Sequence, residues 1–124
     1  MDRKNIIIKN KLNELSHSKF RSSFHLNNDM ISYINDKGLL KVKEHGLDFI
    51  NEKLAPANPK NDGKQTPMRG HPIFIAQHAC ACCCRGCLEK WHHIEKGREL
   101  TKNEINYIIS LLMEWIIIEK KNHD

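Results

Sequence analysis

The sequence predicts an all-α, mainly helical fold in one small domain. Apolar residues recur at helical spacing in several segments, helix-capping residues stand before them, and no window alternates convincingly between apolar and polar residues. A chain of 124 residues has the length of a single domain and can fold without disulfide bonds. We expect residues 19–120 to form this domain, preceded by an arm at 1–18 and followed by a tail at 121–124.

The N-terminal arm is basic. Residues 1–28 carry six Lys or Arg and two acidic residues, so most of the net charge of +5 lies there, whereas residues 71–124 are neutral. Residues 1–18 show no apolar period long enough to anchor them, and only residues 6–9 resemble a short strand. We therefore expect a flexible arm. Such an arm is the part of the chain that could contact nucleic-acid phosphates.

Two helices and a long loop follow the arm. Residues 27–29 supply an N-cap for a short helix that ends at Gly38. The next helix is predicted over 39–54, although Gly46 weakens its middle by about 1 kcal/mol relative to alanine. Residues 55–70 hold three of the four prolines and two glycines. They predict a loop long enough either to carry function or to wrap a neighbouring segment.

Three further helices are predicted after the loop. Pro72 suits the first turn of one helix, and a second short helix is predicted over 87–94. The motif Thr101-x-x-Glu104 predicts a capping box at the start of a long helix over 102–120. Apart from a polar stripe at every fourth residue, this helix is apolar, so we expect it at the centre of the fold.

The distribution of apolar residues excludes a membrane span. The most apolar segment, 105–118, is interrupted by Asn106, Ser110 and Glu114, whereas a span needs about 20 apolar residues. The three isoleucines at 6–8 are too few for the core of an export signal. We therefore expect a cytoplasmic protein that has no membrane partner.

Cysteine usage points to a metal site. All five cysteines fall within eight residues, an odd and clustered set that does not suit a disulfide framework. Histidines stand on both sides of the cluster, and thiolate and imidazole are the ligands that Zn²⁺ prefers, four of them in a tetrahedron. The segment therefore predicts a zinc site, with copper(I) or an iron–sulfur cluster as alternatives. The cysteines are Cys80, Cys82, Cys83, Cys84 and Cys87.

Spacing indicates which residues would bind the metal. Cys84-x2-Cys87 has the spacing of a zinc-binding turn, and His92 follows after four residues. In a zinc knuckle the fourth ligand would fall on Gly97, so here it must come from elsewhere. His78 lies beside the cysteine run. We therefore predict a set of His78, Cys84, Cys87 and His92.

Two residues are alternates in this set. Cys83 can substitute if the side chain of Cys84 points away, because adjacent cysteines rarely bind one ion together. His71 stands seven residues before His78, about 10 Å away along a helix, so both cannot bind one ion unless the backbone is irregular. Binding of one ion by both Cys87 and His92 also requires a particular backbone geometry. On a continuous helix Cys87 and His92 would lie about 140° apart, so the helix must bend or start late.

Three motifs in this region resemble a known family. They are residues 61–72 (NDGKQTPMRGHP), 76–78 (AQH) and 83–92 (CCRGCLEKWH). Together they are similar to an uncharacterised bacterial family, the domain of unknown function 4186, over about residues 19–118. The resemblance implies a small cytosolic single-domain protein and supplies no established activity.

The resemblance also sorts the candidate residues. It implies threonines where this chain has Cys80 and Cys82, so those two thiols look incidental. The motif positions are matched by Cys83, Cys84, Cys87, His71, His78 and His92. Within or beside the same motifs, further functional candidates are Arg69, Gln77 and Trp91.

Two classes of function fit these residues. In the first, a structural zinc site at 71–92 stabilises a small helical module. In the second, the same segment serves a metal-dependent hydrolase or nuclease-like enzyme, with Glu89 or Glu95 as base. Thiol redox chemistry at Cys84 and Cys87 is a third possibility, without a thioredoxin-like frame to support it. We favour the structural zinc protein and leave open whether the protein is an enzyme.

Overall fold

The computed structural model describes residues 2–123 of the protein. This range contains no strand, which confirms the predicted all-α fold. None of its helices is long and apolar enough to cross a membrane. The elements are α1 (Arg3–Ser16), a 3₁₀ turn (Arg21–Ser23), α2 (Asn28–Lys37), α3 (Leu39–Lys53), α4 (Pro72–Ala79), α5 (Arg85–His92) and α6 (Lys102–His123).

Side-chain caps begin the helices where the sequence predicts them. Asn27 accepts a hydrogen bond from the backbone N–H of Met30 at 2.9 Å and starts α2. At α6, Thr101 Oγ1 accepts from the N–H of Glu104 at 3.1 Å, and the Glu104 carboxylate accepts from the N–H of Thr101 at 2.8 Å. This reciprocal pair is the predicted capping box. Gly38, at φ +86°, separates α2 from α3 in a conformation that other residues rarely adopt.

Helix α6 lies at the centre of the fold. It packs against α1, α3 and α4, and its fully buried residues include Ile108, Leu111, Leu112 and Ile116. The helix continues to His123, three residues beyond its predicted end, because the loop before α2 binds its last turns. Glu119 accepts from the N–H of Leu26 at 2.9 Å, and His123 Nε2 lies 3.0 Å from the Leu26 carbonyl.

Gly46 has a packing role in the middle of α3. A Cβ atom at this position would lie 2.9 Å from the Cδ1 atom of Ile73 in α4. Glycine therefore lets α3 and α4 approach closely, and this contact offsets its low helix propensity.

The N-terminal segment differs from the expected flexible arm. Residues Arg3–Ser16 form α1, capped by the Asp2 side chain, and the helix buries Ile8 and Leu15 against the core. Lys11 Nζ donates to the carbonyl of Trp91 at 2.7 Å, which joins α1 to α5. Ile8 and Leu15 are seven residues apart and share one helix face, and α1 packs against α6 and the 3₁₀ turn.

Arg85 fixes the start of α5 in the interior. Its side chain is 1% exposed, and its guanidinium donates to the carbonyls of Pro56 at 2.8 Å, Glu95 at 2.9 Å and Arg98 at 2.9 Å. The backbone N–H of Arg85 donates to Asp62 in the long loop at 3.0 Å. Arg85 therefore connects α5 to the long loop, at Pro56 and Asp62, and to the segment before α6.

We predict that replacing Ile8 by alanine lowers the free energy of unfolding by about 2–4 kcal/mol, because Ile8 is 4% exposed and its loss leaves a cavity. Ile7→Ala is the matched control, since Ile7 is 48% exposed and the change should cost less than about 1 kcal/mol. Urea unfolding followed by circular dichroism measures both. Equal, small effects of the two changes would contradict the packing of α1.

We also predict that Arg85→Lys lowers the free energy of unfolding by at least about 2 kcal/mol. A lysine ammonium cannot reproduce the planar array of guanidinium donors, and it leaves buried carbonyls without a donor. Arg69→Lys is the control, because Arg69 is exposed. The same urea titration tests this pair, and a fully stable Arg85→Lys protein would show that the carbonyl contacts contribute little.

Candidate metal centre

The cysteine run forms the turn between α4 and α5. Cys80 ends α4, and Ala81 follows at φ +58°, a left-handed conformation that reverses the chain. Cys80, Ala81 and Cys82 are fully buried, whereas Cys84 and Cys87 are partly exposed. The turn therefore separates two fully buried cysteines from a second group, in which Cys83 is 9% exposed and Cys84 and Cys87 reach the surface.

The second group brings three sulfur atoms together. The Sγ atoms of Cys83, Cys84 and Cys87 all lie within 4.8 Å of one another. Cys83 Sγ lies 3.6 Å from Cys87 Sγ. Cys84 is the N-cap of α5, and its sulfur accepts from the N–H of Cys87 at 3.4 Å. Three thiols thus converge at the start of one helix.

A buried arginine lies against this thiol cluster (Cys83, Cys84 and Cys87). Arg21, which is 8% exposed, donates from one guanidinium nitrogen to Cys87 Sγ at 3.1 Å and from the other to Cys83 Sγ at 3.6 Å. It also donates to the carbonyl of His78 at 2.7 Å, and its guanidinium carbon lies 5.0 Å from the centre of the Phe20 ring. The cation therefore has a fixed position over two sulfurs.

Hydrogen bonding and burial give the three thiols different pKa values. The hydrogen bond from Cys87, assisted by one from Arg21, lowers the pKa of Cys83 from 9.0 to about 7 despite its burial. Donation to Cys83, followed by burial, raises the pKa of Cys87. Burial raises the pKa of Cys84. Cys83 is therefore the thiol that ionises most readily, and thiolate is the form that binds metals.

The two histidines of the predicted ligand set lie outside the thiol cluster. His78 Nε2 lies 3.2 Å and 3.1 Å from the carbonyls of Thr66 and Pro67 in the long loop. His92 Nδ1 lies 2.8 Å from the Tyr107 hydroxyl, and its Nε2 lies 2.8 Å from the Cys80 carbonyl. The structure therefore brings Cys84 and Cys87 together with the alternate Cys83. The imidazole rings of His78 and His92 instead contact backbone carbonyls and the Tyr107 hydroxyl.

The geometry of α5 explains the position of His92. A single helix runs from Arg85 to His92, without the bend or late start that the predicted set requires. Cys87 in its first turn and His92 at its end therefore point in different directions. Tyr107 in α6 and the carbonyl of the buried Cys80 then hold the imidazole.

His71, the other alternate, is the N-cap of α4. Its Nδ1 accepts from the N–H of Ile73 at 3.0 Å, so the proton of the neutral ring lies on Nε2. That nitrogen is 3.0 Å from Nδ1 of His45, which also lies 3.3 Å from the Tyr33 hydroxyl. Because Nδ1 caps the helix and Nε2 carries the proton, His71 has no lone pair for a metal while it caps α4.

The remaining candidates support the turn or lie at the surface. Gln77 is buried, and its amide nitrogen donates to the carbonyl of Cys82 at 3.1 Å. The Trp91 side chain is half-buried against the core, and its carbonyl accepts from Lys11. Arg69 is exposed.

The long loop wraps the thiol cluster. Thr66 Oγ1 donates to the carbonyl of Cys83 at 2.8 Å, and Asp62 accepts from the N–H of Arg85, next to Cys84. These contacts place the loop against the turn that carries the cysteines.

The sulfur positions fit a tetrahedral metal ion. Two thiolates on one Zn²⁺ at about 2.3 Å lie about 3.8 Å apart. The observed separation of Cys83 and Cys87 is 3.6 Å, and the third sulfur is within 4.8 Å of both. The cluster can therefore hold a metal ion after small side-chain movements.

We predict that acid destabilises the protein through His71 and His92. Burial, followed by nearby His45, lowers the pKa of His71 from 6.5 to about 4, and burial lowers the pKa of His92 to about 4. The folded state therefore binds fewer protons than the unfolded state. The stabilisation is complete above pH 6.5 and declines toward pH 4, by up to about 3 kcal/mol for each ring.

Urea unfolding at several pH values between 7.5 and 4.5 measures this slope. His92→Asn should reduce the slope to the part contributed by His71. His17→Asn should leave the slope unchanged, since His17 is exposed. An unchanged slope in the His92 variant would contradict the assignment.

A family model covers nearly all of the described fold. The model for a domain of unknown function (DUF4186) matches residues 9–117, from the middle of α1 through most of α6, and it includes the whole thiol cluster. The match begins ten residues before the segment in which the resemblance was expected. No solved structure matches the chain. The chain therefore belongs to the family of the domain of unknown function 4186.

Proposed function

We propose that this protein is a small cytosolic zinc-binding protein in which Cys83, Cys84 and Cys87 supply three thiolate ligands. The observation that carries the proposal is the convergence of their sulfurs within 4.8 Å at the start of α5. This set keeps Cys84 and Cys87 from the sequence-based prediction and omits both histidines. It adds Cys83, which the sequence offered only as a substitute for Cys84, so two adjacent cysteines would bind one ion.

Charge favours this set. Three thiolates around Zn²⁺ leave one net negative charge, and the Arg21 guanidinium, which donates to two of the sulfurs, can neutralise it. Hydrogen-bond donors to metal-bound sulfur orient the ligands and tune the site. Zinc suits a site that combines thiolates with a nitrogen or oxygen donor from another source.

We assign the metal a structural role. The ligand turn lies where the long loop, the 3₁₀ turn and α5 meet, through contacts of Thr66, Arg21 and Arg85. A metal there would hold the cysteine turn in the shape that these contacts require.

The second candidate is a metal-dependent hydrolase. One observation favours it. Among residues 2–123 the thiol cluster offers three ligands to a metal ion, and catalytic zinc sites commonly combine three protein ligands with one open position. The expected bases have other partners. Glu89 accepts from the N–H of Lys96 at 3.1 Å, and Glu95 accepts from Arg98 at 3.0 Å.

We predict one zinc per chain in protein purified without added metal. Cys83→Ser, Cys84→Ser or Cys87→Ser should each reduce this content to nearly none, because each removes a thiolate ligand. Cys80→Thr and Cys82→Thr are matched controls in the same turn and should retain the metal. Elemental analysis measures all five variants.

His92→Asn distinguishes the two ligand sets, since retention of zinc supports three cysteines and its loss supports the original set. X-ray absorption should show three sulfur ligands and one lighter atom. A structural role further predicts that chelation lowers the melting temperature. A wild-type protein without bound metal would overturn the proposal.

A further inference from the structure

Cys83 and Cys87 are placed to react with each other. Their sulfurs lie 3.6 Å apart, and a disulfide bond requires about 2.05 Å, so a side-chain movement of about 1.6 Å would join them. We propose that this pair is an oxidative modification site, in which a hydroperoxide converts the two thiols into an intramolecular disulfide. The disulfide itself does not require a metal.

Arg21 holds the two sulfurs in this arrangement. Its two terminal nitrogens donate to Cys87 Sγ at 3.1 Å and to Cys83 Sγ at 3.6 Å. Because one planar group contacts both sulfurs, it restrains both side chains toward the same point. The pair also forms within one local segment, at the start of α5, so closure requires no movement of distant helices.

The other cysteines are less suited to this reaction. Cys80 and Cys82 are fully buried, so a peroxide cannot reach them. Cys84 is partly exposed, but its sulfur accepts the N–H of Cys87 as the cap of α5. A disulfide to Cys84 would remove that cap, whereas the bond between Cys83 and Cys87 leaves it in place.

The chemistry has two steps. In the first, one of the two cysteines, as its thiolate, attacks one oxygen of the hydroperoxide. The O–O bond breaks, the thiol becomes a sulfenic acid, and an alcohol or water leaves with the thiol proton. In the second, the sulfur of the other cysteine attacks the sulfenic sulfur, and the hydroxyl group leaves as water with the second thiol proton. Two electrons pass from the two thiols to the peroxide.

Oxidation would also control the metal, and this consequence alone rests on the proposed function. A disulfide between Cys83 and Cys87 removes two of the three proposed ligands. One thiolate cannot hold zinc in a closed site, so the ion would leave. Reduction by a dithiol would restore both ligands.

Peptide mapping of the full-length protein tests the proposal. The reduced protein is treated with hydrogen peroxide as purified and after treatment with a chelator, and the remaining thiols are then alkylated. Before alkylation, we expect the chelator-treated protein to be two hydrogen atoms lighter after peroxide than before it. Its peptide map should then show Cys83 linked to Cys87. A chromophoric chelator should detect about one zinc released for each disulfide formed by the protein as purified.

Variants identify the partners. Cys84→Ser should still form the disulfide, whereas Cys83→Ser and Cys87→Ser should instead accumulate sulfenic acid or its further oxidation products. A disulfide that includes Cys84, a disulfide between two chains, or sulfinic acid without any disulfide in the wild type would overturn the inference. A mapped Cys83–Cys87 bond in a protein without zinc would support the inference while it refutes the proposed metal function.

Discussion

The guanidinium of Arg85 lies inside the protein, where backbone carbonyls take the place of water around its charge. Pro56 after α3, and Glu95 and Arg98 before α6, supply three of these carbonyls at 2.8–2.9 Å. A buried cation is costly unless such dipoles surround it, so the segments that carry them must stay together. Since Arg85 is the first residue of α5, the same constraint fixes the position of the adjacent Cys84 and of Cys87 one turn later.

A second buried arginine gives the thiol cluster its character. Arg21 donates to two sulfur atoms and to the His78 carbonyl, whereas the Arg85 guanidinium donates to carbonyl oxygens, and both cations lie beside the same turn. A cation against Cys83 and Cys87 favours thiolate, and thiolate is required both for metal binding and for reaction with oxidants. The proposed metal site and the proposed disulfide therefore use the same sulfurs.

Several elements of the fold could be predicted because their signals are local. Asn27 and Thr101 cap the helices that they precede in the sequence, and α6 is as central as its apolar surface indicates. The helix at the N-terminus was missed because its apolar face is narrow. Its two buried residues, Ile8 and Leu15, lie seven positions apart, and their burial depends on the surfaces of α6 and the 3₁₀ turn. Gly46 likewise appeared unfavourable until the close approach of Ile73 explained it.

The sequence by itself determined the helical class, most helix starts and the clustering of sulfur ligands, because capping and helical spacing act over a few residues. It also indicated Cys84 and Cys87 as a pair, since two intervening residues are the spacing of a zinc-binding turn. Only the tertiary structure decided which other groups join them. Arg21 contacts Cys83 across 62 residues of sequence, and His92 binds Tyr107 and the Cys80 carbonyl instead of the thiol cluster. Such partners depend on how distant segments pack and on which buried polar atoms need a hydrogen bond, and spacing along the chain contains neither.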